Sequence, residues 1–394
     1  MEDIKTLDQE YVASTYGRYP VVLKEGKGSI AVDEAGKSYI DMGSGIGVNL
    51  FGYCDEVWSK AVAAQLNTLQ HTSNLYYTGP CAKLAEQLCT RTGLKKVFYC
   101  NSGAEANECA IKAARRYGQL HKGEDCYTII TLKNSFHGRT LTTLAATGQD
   151  KFHQLFQPLT PGFVSVEAND IEALKDAVKN YNVCAVLLEF VQGEGGVNVL
   201  DPAYIKAVKE LLDANDILLL DDEVQTGNGR TGTLYAFMQY GVLPDVVTSA
   251  KGIGGGLPIG VTMLGEKVKD IFKPGDNGST FGGNPAVCAG ALANISRLDD
   301  AFLATVQEKS AWIFEQFQNA PGVKSISGLG LMIGIEPETG TASAIANACL
   351  SNGVLVLTAG GNKVRLLPPL NISMEELKQA VTVIKAAFAA SGKE

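Results

Sequence analysis

Along the 394-residue chain the apolar positions change their period in an ordered way. From Tyr16 to Met42 apolar and polar residues alternate around Gly28 and Glu34-Ala35-Gly36-Lys37, which predicts β-hairpins. Helical spacing follows over Glu56–Thr68 and Pro80–Arg91. A short strand over Lys96–Cys100 then runs into Asn101-Ser102-Gly103-Ala104-Glu105, where Ser102 and Glu105 read as a capping box opening a helix to about Tyr117. Strands over Asp125–Leu132 and Val183–Phe190, and one starting at Ile217, alternate with helices over Asp170–Lys179 and Pro202–Ala214. Val246-Val247-Thr248-Ser249 adds another buried strand. This rhythm predicts an α/β fold, a mostly parallel sheet covered by helices on both faces. Ligands of such sheets bind beyond the C-terminal ends of the strands.

After Gly278-Ser279-Thr280-Phe281-Gly282-Gly283-Asn284-Pro285 the character changes. A helical stretch from Ala286 to about Phe317 leads into strands within Gly322–Ile335. A helix over Ser343–Ser351, strands over Val354–Leu357 and Lys363–Leu367, and a helix over Met374–Ala390 complete a smaller α+β unit. The expected division is an N-terminal segment over 1–52, a large domain over 53–299 and a small domain over 300–394.

Hydrophobic content of 45% and charged content of 19% describe an ordinary globular protein, and a net charge of -8 argues against nucleic-acid binding. The nine cysteines are scattered singly, and with only four histidines no zinc-spaced cluster forms. Free thiols of a reducing compartment, and no metal site, are expected. Met1-Glu2-Asp3-Ile4-Lys5 precedes no apolar signal core, and no run approaches the roughly 20 residues that span a bilayer. A soluble, cytoplasmic protein with no membrane partner is the expectation.

The candidate chemistry lies at predicted strand ends. Lys251 follows the Val246 strand and precedes Gly252-Ile253-Gly254-Gly255-Gly256. A lysine placed there, facing a cavity, is desolvated, which frees its amine as a Schiff-base nucleophile. The Ile217 strand delivers Asp221-Asp222-Glu223 to its own C-terminal end. The turn at Ser102-Gly103-Ala104 offers a helix N-terminus to an anion. An amine for an aldehyde, an acid for a pyridinium nitrogen and amides for a phosphate are what pyridoxal phosphate needs from its protein.

Several motifs in order, NSGAEANE, NSFHGRT, QGEGGV, DEVQTGNGRTG, TSAKGIGGGLPIG and GSTFGGNP, carry a resemblance over about Tyr16 to Pro368. The chain resembles the class III (ω-type) aminotransferases of pyridoxal-phosphate fold type I, and is most similar to their acetylornithine branch. The resemblance implies that Lys251 binds the cofactor aldehyde and then moves the proton of the reaction. It implies that Asp222 pairs with the pyridinium N–H; alternation lets only one of Asp221 and Asp222 face the ring, and the DEVQ match selects Asp222. Phe136 and Val224 would sandwich the ring, Glu223 would belong to the same cofactor-binding stretch, and Gln225 would bond the phenolic oxygen. Ser102, Gly103 and Ala104 would hold the phosphate, with Ala104 standing where the family often has threonine. Thr280 would reach the phosphate of a partner subunit's cofactor and Ser279 its substrate, so a homodimer with shared sites is implied. Arg139 would grip a substrate carboxylate and Tyr16 line the far end of the pocket. Arg365 would take the α-carboxylate of glutamate or 2-oxoglutarate, with Glu194 as its alternative partner. The implied reaction passes the δ-amino group of N2-acetyl-L-ornithine to 2-oxoglutarate; ornithine, succinylornithine, 4-aminobutyrate and acyl-lysine are the other donors of this class. Phe190, where proline is common, and Tyr53-Cys54-Asp55 depart from the family pattern.

Overall fold

A computed structural model describes residues 3–391; Met1, Glu2 and residues 392–394, the outer ends of two expected segments, lie outside the described residues. At its centre is a seven-stranded sheet in the order Lys96–Cys100, Gly260–Leu264, Val246–Ser249, Leu218–Asp222, Val183–Leu188, Thr128–Leu132, Phe163–Val166. Only the Gly260–Leu264 strand runs against its neighbours. Val183–Leu188 and Leu218–Asp222 are buried at every position, as strands of a doubly covered sheet are, the first apolar throughout and the second ending in two acids. The helix Gly103–Lys122 packs on this sheet with Ala110, Ala113, Ala114 and Gly118 turned inward. A Cβ at Gly118 would stand 2.3 Å from the Cys126 carbonyl oxygen, so only glycine permits that approach.

The N-terminal strands Leu23–Lys27, Ile30–Asp33 and Ser38–Asp41 form a meander, and Val354–Leu355 adds to it in parallel beside Ser38–Asp41. A second antiparallel sheet runs Val323–Leu329, Met332–Pro337, Lys363–Leu366, Leu357–Ala359. The expected single strand over Val354–Leu357 is therefore two short strands in different sheets, parting at Val356. The expected helix from Ala286 to Phe317 is also two: Pro285–Ile295, capped by Asn284, and Asp300–Phe317, capped by Asp299. Leu298, fully buried between them, carries the apolar period across the break and conceals it in the sequence. The strand expected from Asp125 begins at Thr128, and the helix expected to end near Tyr117 continues to Lys122. Among the described residues no helix is long and apolar enough to cross a membrane.

Alternation along Leu218–Asp222 has an energetic consequence on the face away from the strand-end ligand side. Asp221 is fully buried and neither of its carboxylate oxygens has a partner. Burial first, and then the neighbouring Glu223, push its carboxyl well above the usual range, while burial pushes Glu223 up to about 7. Acids whose folded values are raised stabilise the fold fully at low pH and lose that contribution as pH rises through about 7. Asp221→Asn is expected to flatten the decline in thermal midpoint between about pH 5 and about pH 8, because it removes a carboxyl that holds its proton more tightly in the folded than in the unfolded chain. Thermal melts across that range, showing an unchanged decline, would refute this account of the pair.

Candidate active site

The strand ends of the central sheet open into a cavity of about 480 Å³. Lys251, Asp222, Phe136, Arg139, Val224, Gln225 and the Ser102-Gly103-Ala104 turn line it. Lys251 arrives there because the Val246–Ser249 strand stops and the chain turns through Ala250 into a short 3-10 turn. It holds a left-handed backbone with φ of 49°, unusual for a side chain of this size, as local strain at functional positions often is. Burial lowers the pKa of its amine, with Glu194 pulling the other way. A lowered amine pKa enlarges the unprotonated share of the group, which favours it as a nucleophile.

Asp222 stands on the adjacent parallel strand, paired in register with Thr248. Its carboxylate is held by three donors: Asn107 Nδ2 at 2.7 Å, His137 Nδ1 at 2.8 Å and the Val224 N–H at 3.1 Å. Thr248 Oγ1 donates in turn to Asn107 Oδ1 at 2.7 Å, so helix, strand and loop all orient one carboxylate. Asn107 and His137 were not among the expected site residues. Both lie inside quoted motifs, but their role depends on a loop, a helix and a strand meeting at Asp222, which no local spacing encodes.

Glu189 is the third such residue. It is buried at the cavity wall and accepts from the Phe136 N–H at 3.0 Å and the Gly193 N–H at 3.2 Å. It thereby ties the loop of the aromatic Phe136 to the loop leading to Glu194. Burial raises its pKa to about 7, partly countered by His137 and reinforced by Asp222.

The Ser102 side chain caps the Gly103–Lys122 helix by accepting from the Glu105 N–H. The expected capping box is displaced by one residue, since Glu105 accepts from the Asn101 N–H rather than from the backbone N–H of Ser102. The amides of Gly103 and Ala104, at the first helical positions, have no intrahelical acceptor and face the cavity. Val224 packs so tightly here that a Cβ on Gly103 would sit 2.7 Å from its methyl carbon.

Arg139 projects at the mouth, its guanidinium 4.1 Å from the Phe152 ring centroid and 5.5 Å from that of Phe136. Beside the cavity, Arg365 Nη1 donates to Glu194 Oε1 at 2.6 Å and to Gln225 Oε1 at 3.0 Å. Burial raises the Glu194 carboxyl, but Arg365 and its hydrogen bond outweigh it and hold the group below the usual range.

Four expected positions fall elsewhere. Glu223 points to the opposite side of the sheet from Asp222 and accepts from the Phe237 N–H at 2.9 Å, so it does not line the cavity. Strand alternation, which excludes Asp221, excludes Glu223 for the same reason. Tyr16 is 75% exposed and borders a groove under the N-terminal helix. Ser279 accepts from Asn101 Nδ2 at 3.0 Å, next to the Ser102-Gly103-Ala104 turn, yet neither it nor the exposed Thr280 lines this chain's own cavity.

Residues 11–388 match the aminotransferase class-III family. The chain belongs to that family. Among its relatives is the acetylornithine aminotransferase of Haemophilus ducreyi, 52% identical over 97% of this chain and 98% of that protein. The acetylornithine aminotransferase of Methanocaldococcus jannaschii is 45% identical over 97% of both. Among solved structures, the ornithine aminotransferase of Toxoplasma gondii superposes with a TM-score of 0.94 at 33% identity, covering 100% of this chain and 95% of that one. The N-acetylornithine aminotransferase of Stenotrophomonas maltophilia gives 0.82 at 36% identity, covering 98% of each.

Class III aminotransferases depend on pyridoxal phosphate, and this cavity fits it. Free helix-terminal amides suit a phosphate, and the close packing of Gly103 against Val224 leaves the backbone bare for it. A carboxylate fixed by three donors suits a protonated ring nitrogen, and a desolvated amine suits an aldehyde. When bound, the cofactor supplies an electron sink for a carbanion next to nitrogen.

Proposed function

We propose that this aminotransferase moves the δ-amino group of N2-acetyl-L-ornithine to 2-oxoglutarate, yielding N-acetyl-L-glutamate 5-semialdehyde and L-glutamate. The observation that carries this reading is the pair of arginines with different company. Arg139 lies open at the cavity mouth between two aromatic rings, ready for a carboxylate, whereas Arg365 is paired with Glu194 at 2.6 Å. A donor reacting through its distal amine brings its α-carboxylate to Arg139 and leaves the Glu194–Arg365 pair intact. Glutamate must present an α-carboxylate next to its reacting amine, and Glu194 then yields Arg365 to it. A buried guanidinium without a counter-charge is costly, which gives the movable acid its purpose. The names of the Haemophilus and Methanocaldococcus relatives support the same donor.

In this reading Lys251 binds the cofactor and then shuttles the proton, Asp222 holds its ring nitrogen, Phe136 and Val224 flank its ring, and Gln225 meets its phenolic oxygen. The Ser102-Gly103-Ala104 turn takes the phosphate. The enzyme works as a cytoplasmic homodimer, divided into an N-terminal segment, a large domain and a small domain with boundaries near 52 and 299. Leu75 at 85% exposure, with Tyr76, Tyr77 and Phe281, forms an apolar surface around the Ser279-Thr280 loop that a second copy would cover. From that position Thr280 and Ser279 serve the partner's site, and Tyr16 reaches a substrate pocket only once the dimer forms.

Single-turnover spectral titration of the holoenzyme with one amino donor at a time tests the substrate. N2-acetylornithine is expected to discharge the visible absorption of the lysine-bound cofactor at concentrations at which ornithine, succinylornithine, acyl-lysine and 4-aminobutyrate leave it in place. A response led by any other of these donors would overturn the assignment while leaving the aminotransferase chemistry standing.

A further inference from the structure

Arg230 belongs to the DEVQTGNGRTG segment, takes no part in the cavity, and is the largest fully buried side chain, at 1% exposure. Burial pushes its guanidinium down to about 9, with Asp41 countering only part of that. Among the described residues its side-chain hydrogen bonds go to main-chain carbonyls alone. Nη1 donates to the Leu331 carbonyl at 3.1 Å and to the Pro368 carbonyl at 2.6 Å, while Nη2 has no partner. The contact is reciprocal, because the Leu331 N–H donates to the Arg230 carbonyl at 2.9 Å. Backbone meets backbone here with no slack. A Cβ on Gly330 would stand 2.5 Å from the Arg230 carbonyl oxygen, and Gly330 has a left-handed φ of 55°.

The two carbonyls are informative by their position. Leu331 directly precedes the strand Met332–Pro337, and Pro368 follows the strand Lys363–Leu366. These strands pair with Gly334 opposite Arg365. One guanidinium therefore grips both strands of the ladder that presents Arg365. Gln225, earlier in the same segment, accepts from the Arg365 side chain itself at 3.0 Å. The segment that starts at Asp222 thus meets the Arg365 side chain through Gln225 and the two strands of its ladder through Arg230. A neutral side chain could fill the space without the desolvation cost. A rigid fork that reaches two carbonyls at once is what arginine adds.

We propose that Arg230 is a positioning residue that sets the distance and angle of Arg365 relative to the cofactor site, and so governs the affinity for the five-carbon dicarboxylate substrates. This rests on the reading of Arg365 as the group that takes the glutamate or 2-oxoglutarate α-carboxylate.

The test measures KM for 2-oxoglutarate and for N2-acetylornithine in the full-length holoenzyme carrying Arg230→Lys, Arg230→Met or, separately, Arg365→Ala. Arg230→Lys keeps the charge and one carbonyl contact, so it carries the test if the methionine variant does not accumulate. It is expected to raise KM for 2-oxoglutarate on the order of 10-fold, the scale of a small misplacement of a substrate-binding group, and to leave the donor KM within about twofold. Arg230→Met is expected to raise it further, with the absorption of the bound cofactor unchanged in both. Equal rises for the two substrates, or a lowered thermal midpoint with both KM values intact, would reduce Arg230 to a structural residue. Arg365→Ala separates the two claims. A wild-type KM for 2-oxoglutarate in that variant removes the reading of Arg365. A raised KM there, with a wild-type KM in Arg230→Lys, removes only the role of Arg230.

Discussion

Replacing Lys251 with alanine is expected to lower turnover on the order of 10⁵-fold or more, the scale seen when the nucleophile of a covalent mechanism is deleted. Among the described residues Lys251 is the only lysine lining the cavity, so none of their other amines stands ready to take its place. Its backbone strain and the burial of its amine are costs that the surrounding fold sustains at this one position. The phosphate turn and Asp222 do not depend on Lys251, so the variant should still bind the cofactor non-covalently. Steady-state turnover and the visible spectrum of the reconstituted variant are the measurements. Activity within about tenfold of wild type would end the assignment of Lys251 as nucleophile and proton carrier, given the rate losses expected of such a group.

Asp222→Ala is expected to cost on the order of 10²–10³ in the rate of the first half-reaction, comparable to losing one preorganised electrostatic partner. The reason lies in the preorganisation. Asn107, His137 and the Val224 amide fix the carboxylate before any ligand arrives, and Thr248 fixes Asn107. Alanine removes the charge and leaves buried donors from Asn107 and His137 unpaired, which adds a stability loss of about 1–3 kcal/mol per orphaned group. The kinetic and stability effects separate experimentally: rapid-mixing kinetics report the first and denaturant unfolding the second. A loss of stability with an unchanged half-reaction rate would show that Asp222 anchors its neighbours and does not act on the cofactor.

The alternating strands and helices were legible in the chain alone, as were a lysine, an acidic pair and a glycine turn set at predicted strand ends. These were legible because each rests on local physics. Buried strands are continuous apolar runs, helices begin at capping side chains, and glycine marks close approach. The six motifs added the class of chemistry and Arg139, Glu194 and Arg365, and the family match agrees with that class.

The rest depends on segments far apart in the chain. Val356 divides one apolar stretch between two sheets, and Leu298 hides a helix break because it is buried like its helical neighbours. Glu189 joins two active-site loops through backbone amides, and Arg230 clasps carbonyls more than a hundred residues away at Leu331 and Pro368. A main-chain carbonyl looks the same at every residue, so no side-chain pattern announces that it will be a partner. Glu223 shows the opposite case. It stands within a functional motif, next to Asp222, and strand geometry alone turns it into the core.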